Sequence, residues 1–152
     1  MRTIIAGSRS ITDYNLVLEA IEESEFIITE VVSGKAQGID TLGERYAKEN
    51  NIPIKEFPAN WNDLKVEHCI IKRNAYGKEY NVLAGFNRNQ DMADYADALI
   101  AVTTGSSGTN DMIQRAYLNN LKVYIKLVDN AISDKNRKEM LDNLKKCGKV
   151  EV

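Results

Sequence analysis

Two rhythms of apolar and polar positions alternate along the chain. Short runs rich in Ile and Val lie at 3–6, 27–32, 54–57, 98–102 and 121–127, and between them apolar residues return every three or four places. The alternation predicts an α/β fold: a Rossmann-like, doubly wound, mostly parallel sheet of about five strands with helices on both faces. Asp13 is placed to cap a first helix whose apolar stripe is Leu16, Val17, Ala20 and Ile21. The other face of that helix carries Glu19, Glu22, Glu23 and Glu25, and reads as solvated surface. A second helix shows Ile39, Leu42, Tyr46 and Ala47 in phase and stops near Asn50 and Asn51. Further helices are expected over 88–96, 109–120 and 133–147, the last with Gly148 as its stop.

Residues 59–84 follow neither rhythm and read as a long excursion holding at most a short hairpin. Excursions of this length in a compact domain are usually functional or disordered. Trp61, Tyr76 and Tyr80 argue for order.

Composition narrows the classes. With 152 residues, 43% of them hydrophobic, the chain is the size of one domain with a sizeable core. No apolar run approaches the roughly 18 residues of a membrane span, and the start MRTIIAGSRS lacks a signal peptide's pattern, so a cytoplasmic protein is expected. Twenty basic and 22 acidic side chains leave a formal charge of −2, without the footprint of a dedicated duplex-DNA binder. Cys69 and Cys147 have no CxxC spacing and His68 has no histidine partner, so neither a metal site nor a required cofactor is expected. Adjacent His68 and Cys69 read as an ordinary pair in the irregular segment rather than a catalytic dyad.

Candidate chemistry concentrates at three strand ends: Gly7-Ser8-Arg9-Ser10, Ser33-Gly34-Lys35-Ala36-Gln37-Gly38, and Thr104-Gly105-Ser106-Ser107-Gly108-Thr109. Glycine permits tight turns and close backbone approach, and helix N-termini offer unpaired amides and partial positive charge suited to phosphate. In an open parallel sheet, ligands bind at such carboxyl ends. The loops do not form a nucleotide-triphosphate P-loop, because Ile39 stands where that motif has lysine, and they do not match GxGxxG. Asp40 and Asp111 lie just inside the helices that follow. Stabilisation of the helix dipole explains them equally well; as ligand groups they are read as facing a ribose, because a carboxylate repels phosphate.

The runs AGSRSITDY (6–14), VVSGKAQGIDTLGERYAKENNIPIKEFPANW (31–61) and YNVLAGFNRNQDMADYADALIAVTTGSSGTNDMIQRA (80–116) together resemble the SLOG superfamily, most closely the YspA-like, DUF2493 group of phages and bacteria. The resemblance covers about 1–127 and implies a Rossmann-like domain that binds a nucleotide or nucleotide-derived ligand, often as a homo-oligomer, with 128–152 as a helical extension. The superfamily includes a DNA-uptake protein that holds single-stranded DNA and the LOG phosphoribohydrolases that release bases from nucleoside monophosphates. In those hydrolases an RKxxM segment supplies a catalytic arginine, and it is similar to Arg88-Asn89-Gln90-Asp91-Met92 here. Their PGGxGTxxE loop is similar to Thr104–Met112: Gly105, Gly108 and Thr109 match and Ser106 replaces a glycine. The final glutamate position is Met112, and a thioether can neither accept a proton nor stabilise an oxocarbenium-like centre. Asp111, one place earlier, is then the only plausible acid partner for Arg88.

The expected function is therefore binding of a nucleotide-like small molecule, to sense or sequester it. Phosphate would be held by Ser8, Arg9, Gly34, Gly105, Ser106, Gly108 and Thr109, with Gly7, Ser33, Lys35, Gly38 and Asn89 beside them. Asp40 and Asp111 would contact ribose, Arg88 would pair with phosphate or with Asp111, and Asn60 and Trp61 would meet a base. An N-glycosidic hydrolase using Arg88 and Asp111 ranks second. Single-stranded nucleic acid on the strip Lys65, Lys72, Arg73 and Lys78 ranks third, because Asp63, Glu67 and Glu79 dilute its charge.

Overall fold

A computed structural model describes residues 1–62, 64, 70–73, 75–81 and 83–128. In chain order the elements are β1 (Arg2–Gly7), α1 (Tyr14–Ser24), β2 (Glu30–Ser33), α2 (Ile39–Glu49), β3 (Ile54–Glu56), β4 (Ile71–Arg73), β5 (Glu79–Asn81), α3 (Ala84–Tyr95), β6 (Ala98–Thr103), α4 (Ser107–Leu118) and β7 (Lys122–Leu127). Five of the strands form one parallel sheet in the order β3-β2-β1-β6-β7, and β4 pairs only with β5, antiparallel.

Successive strand residues point to opposite faces, so each strand feeds two cores. On one face Ile5, Val31, Ile100 and Val102 pack with Val17 and Ala20 of α1 and Ile39 and Ala47 of α2. On the other, Ile4, Val32, Leu99, Ala101 and Ile125 pack with Met92 and Ala93 of α3 and Met112, Ile113 and Ala116 of α4. Central β6 is buried at all six positions, as a strand covered by helices on both faces must be. The fold is the expected α/β, Rossmann-like one.

Local signals explain most boundaries. Asp13 caps α1 by accepting from the Asn15 amide at 3.0 Å, and Glu25, in the left-handed region at φ 59°, ends it. The acidic face of α1 is not simply solvated, because Lys126 of β7 reaches Glu23 at 2.9 Å and Glu19 at 3.4 Å. Strand β2 starts three residues later than the apolar run. The Met1 ammonium donates to the Ile27 carbonyl at 2.7 Å, and the Thr29 amide donates to the Met1 carbonyl at 3.0 Å, so 27–29 bond there before the ladder begins. Helix α3 starts four residues before Arg88, with no side-chain cap at Leu83 to announce it. Within the excursion β4 and β5 form the short hairpin, turning at Gly77 with φ 76°. The helix expected at 133–147, the rest of 129–152, the pair at 68–69, and Lys65, Asp63 and Glu67 lie outside the described residues.

The topology locates a crevice. The chain builds β1, β2 and β3 outward in one direction, then crosses back to lay β6 on the other side of β1. Helices leaving β1 and β6 therefore diverge to opposite faces, and their carboxyl ends open between them.

Candidate functional site

A cavity of about 490 Å³ lies at that opening, within the range of small-molecule sites. Its deepest polar group is Ser8, 2% exposed, whose amide donates to the Val102 carbonyl at 3.1 Å across the β1–β6 seam. The Ser8 hydroxyl accepts from the Thr104 amide at 2.9 Å and shares hydrogen bonds with the hydroxyls of Thr104 at 3.0 Å, Thr103 at 3.3 Å and Ser106 at 3.3 Å. Ser106 and Thr109 are joined at 3.0 Å, and Thr103 receives the Gly105 amide at 2.9 Å. The result is a web of hydroxyls over the start of α4. Ser106 occupies the N-cap position with extended backbone but makes no capping bond. First-turn amides have no acceptor within their own helix. Here that turn is Ser107, Gly108 and Thr109, all of which line the cavity, with Arg9 opposite.

Glycines allow the loops to close this tightly. A Cβ on Gly7 would collide with the Val102 carbonyl. Gly38 has φ 73°, and a Cβ there would lie 2.5 Å and 2.6 Å from the carbonyl oxygens of Ser8 and Arg9. Gly38 therefore does not touch the cavity; it lets the β1 loop rest on the β2 loop.

Among the described residues, the one carboxylate lining the cavity is Asp40, the second residue of α2 and 5% exposed. Its Oδ2 accepts from the Ala36 amide at 3.3 Å. Burial pushes the Asp40 carboxyl up to about 6, against the opposing pull of the Ala36 and Gly34 amides and of Arg88, while Glu44 adds to the rise. Arg88, on the first turns of α3, donates through Nη1 to the Gly34 carbonyl and through Nε to Asn89 Oδ1 at 3.2 Å. Burial presses this guanidinium down from its ordinary value, Asp40 draws it up, and Arg9 presses it down further. A guanidinium stays charged through such shifts. At Gly34 a Cβ would lie 2.6 Å from Arg88 Nη1 and 2.9 Å from Asp40 Oδ2, so a side chain there would displace the ends of both.

Of the sequence-derived candidates, the cavity gathers Gly7, Ser8, Arg9, Asp40, Trp61, Arg88, Asn89, Ser106, Gly108 and Thr109. Ser33, Gly34, Lys35, Gly38, Asn60, Gly105 and Asp111 are not on its wall. Ser33 is buried and accepts the Lys35 amide at 3.2 Å, which shapes the loop. Lys35 turns away: its ammonium meets Glu44 at 2.8 Å and Glu56 at 3.4 Å. Asp111 is engaged elsewhere, by Arg115 Nε at 2.8 Å and by Asn89 Nδ2 at 3.0 Å, so it is not the partner of Arg88. Phe86, Met92 and Met112 form apolar wall that the candidates omitted. Met92 and Met112 belong to the core as well, and nothing in an apolar pattern separates a core methionine from one that also faces a cavity. Phe86 had a usable signal, since it directly precedes the NRNQDM run that carries the resemblance. Among the described residues no cluster of three or more His, Cys, Asp or Glu is placed to hold a metal, and no helix is long and apolar enough to cross a membrane.

Chemically, the cavity wall combines hydroxyl and amide donors, the guanidinium groups of Arg9 and Arg88, the Asp40 carboxyl, and aromatic and thioether surface.

Comparison with known proteins agrees with the resemblance read from the sequence. Residues 1–63 match the sequence model of YAcAr, the YspA, cpYpsA-related SLOG family. The fold is similar to that in the X-ray structure of DNA processing protein A (DprA) from Streptococcus pneumoniae, with a TM-score of 0.63 and 17% sequence identity. That match covers 95% of this chain and 56% of the other. No curated protein matches the sequence.

Proposed function

We propose that this chain binds a nucleotide or nucleotide-derived small molecule at the switch-point cavity, acting as a cytoplasmic sensor or sink for it. The observation that carries the reading is the uncapped first turn of α4, set against the Ser8 hydroxyl web and Arg9 inside a cavity of about 490 Å³. Helix N-termini with hydroxyl donors and a nearby arginine are built for phosphate. Asp40 is then the acceptor for ribose hydroxyls, beyond the phosphate end. Isothermal calorimetry against AMP, NAD and ADP-ribose tests the reading: at least one binds to wild type and binds about tenfold or more weakly to Arg9→Ala. Silence from all three overturns it. Self-association accompanies the reading, and light scattering of the purified protein measures it.

A second reading, N-glycosidic hydrolysis, is favoured by one observation: a carboxyl raised to about 6 lies in the cavity with an arginine nearby. The acid is then Asp40 and not Asp111. Chromatography of AMP after incubation decides, with free adenine formed by wild type and not by Asp40→Asn. Binding to single-stranded nucleic acid has less support from the site. The strip Lys72, Arg73 and Lys78 lies on the β4–β5 hairpin, and Arg73 already meets Glu79 at 3.3 Å.

A further inference from the structure

We infer that Trp61 is the platform that recognises the ligand's heteroaromatic base and that Asn81 is the residue that holds it there, an inference that rests on the nucleotide reading above.

The indole lines the cavity while 39% exposed, so one part of it is packed and another is open. Its six-membered ring lies against Gly85 near the start of α3: Cη2 and Cζ2 are 3.3 Å and 3.8 Å from where a Cβ on Gly85 would stand. Arg88 Nη2 is 3.8 Å from the same point. Indole and guanidinium thus converge over a residue with no side chain. Phe86, Met92 and Met112 add apolar wall to the same cavity. A planar base attached to a phosphorylated ribose fits such a mixed lining, with phosphate at α4 and base at Trp61. Stacking of a base on an aromatic side chain is worth about tenfold in affinity or more.

Trp61 lies outside every helix and strand, so something must hold it. Asn81, 1% exposed, closes the hairpin, and its amide donates to the Trp61 carbonyl at 2.7 Å. Its side-chain Oδ1 accepts from the amides of Ile70 at 3.3 Å and Leu83 at 3.0 Å. One buried side chain therefore ties the entry of β4 to the N-cap of α3, and fixes the backbone bond that carries Trp61. On the hairpin's first strand Ile71, Lys72 and Arg73 are all exposed.

Trp61 is the one tryptophan in the chain, so intrinsic fluorescence reports on it alone. The full chain is titrated with AMP and with ribose 5-phosphate, which has the phosphate and sugar without the base. The expected result is quenching by AMP with affinity about tenfold or more above ribose 5-phosphate, which quenches little. Trp61→Leu, followed by calorimetry, closes the gap between the two ligands. Asn81→Ala narrows the gap through AMP, and Gly85→Ala does so by crowding the ring while favouring the helix, so it reads out positioning even where Asn81→Ala folds poorly. Equal affinity of wild type for both ligands overturns the platform and leaves the phosphate site standing. Binding of neither overturns both. A full AMP preference in both Asn81→Ala and Gly85→Ala removes the positioning role.

Discussion

The β2–α2 and β6–α4 connections read alike and behave differently. Each leaves a parallel strand, carries glycines and hydroxyls, and delivers an aspartate near the start of a helix. Asp40 enters the cavity, buried and raised to about 6, whereas Asp111 turns away to Arg115 and Asn89. Helix phase accounts for the difference. Asp40 is the second residue of α2 and Asp111 the fifth of α4, and three further residues rotate a side chain by about 300° and carry it beyond the first turn. The glycines divide in the same way. Gly38 is locked against two carbonyls, while at Gly108 a Cβ would meet nothing within 4 Å. The β2–α2 glycine buttresses the neighbouring loop, and the β6–α4 glycine leaves open space at the cavity wall.

Substitutions in the two connections sharpen or break this contrast. Gly38→Ala is expected to cost the most, about 3 kcal/mol or more in urea denaturation, because the new methyl meets backbone at a positive φ. A loss under about 1 kcal/mol would mean the β2 loop is not a buttress. Asp40→Asn comes next, with the opposite sign. A carboxyl raised from 3.8 to about 6 on folding binds more protons in the native state, so its ionisation destabilises the fold as pH rises from about 4 to about 6. At pH 7 the asparagine variant is expected to be more stable by as much as about 3 kcal/mol. Its denaturation midpoint should vary less between pH 4 and 6 than that of wild type. Identical profiles would show that Asp40 is not buried as described. Gly108→Ala should then raise the melting temperature by an amount worth up to about 1 kcal/mol, because alanine favours helix, and weaken AMP because the methyl intrudes on the cavity wall proposed to hold phosphate. Gain of stability with unchanged binding would remove Gly108 from the surface. Last is Asp111→Ala, which loses a partly exposed ion pair to Arg115 and the hydrogen bond from Asn89, and is expected to cost about 1 kcal/mol or less with no change in ligand affinity.

The sheet was legible because its cause is local. Runs such as Ala98–Val102 are short and apolar at every position, as a strand covered on both faces is. The crevice was legible too, since it follows from glycine and serine at strand ends. The start of α3 was not, because Gly85 discourages helix and Leu83 cannot cap it; packing of Met92 and Ala93 on the sheet overrides both. Lys35 could not be placed from its loop either. Its two acceptors, Glu44 and Glu56, lie nine and 21 residues away on α2 and β3. Asp111 was misjudged by the two-residue error in where α4 begins, 107 and not 109, which alters the phase of every side chain after it.

The seam at Ser8 and Thr104 joins residues 96 positions apart. Closing so long a loop costs chain entropy before any contact across the seam repays it, so folding should be slow for the chain's length. Because the seam lines the pocket, the pocket exists only in molecules whose two strand ends have met. A ligand that fills it favours those molecules alone, by an amount that grows with its concentration. The abundance of folded protein would thus follow the supply of the small molecule proposed to fill it.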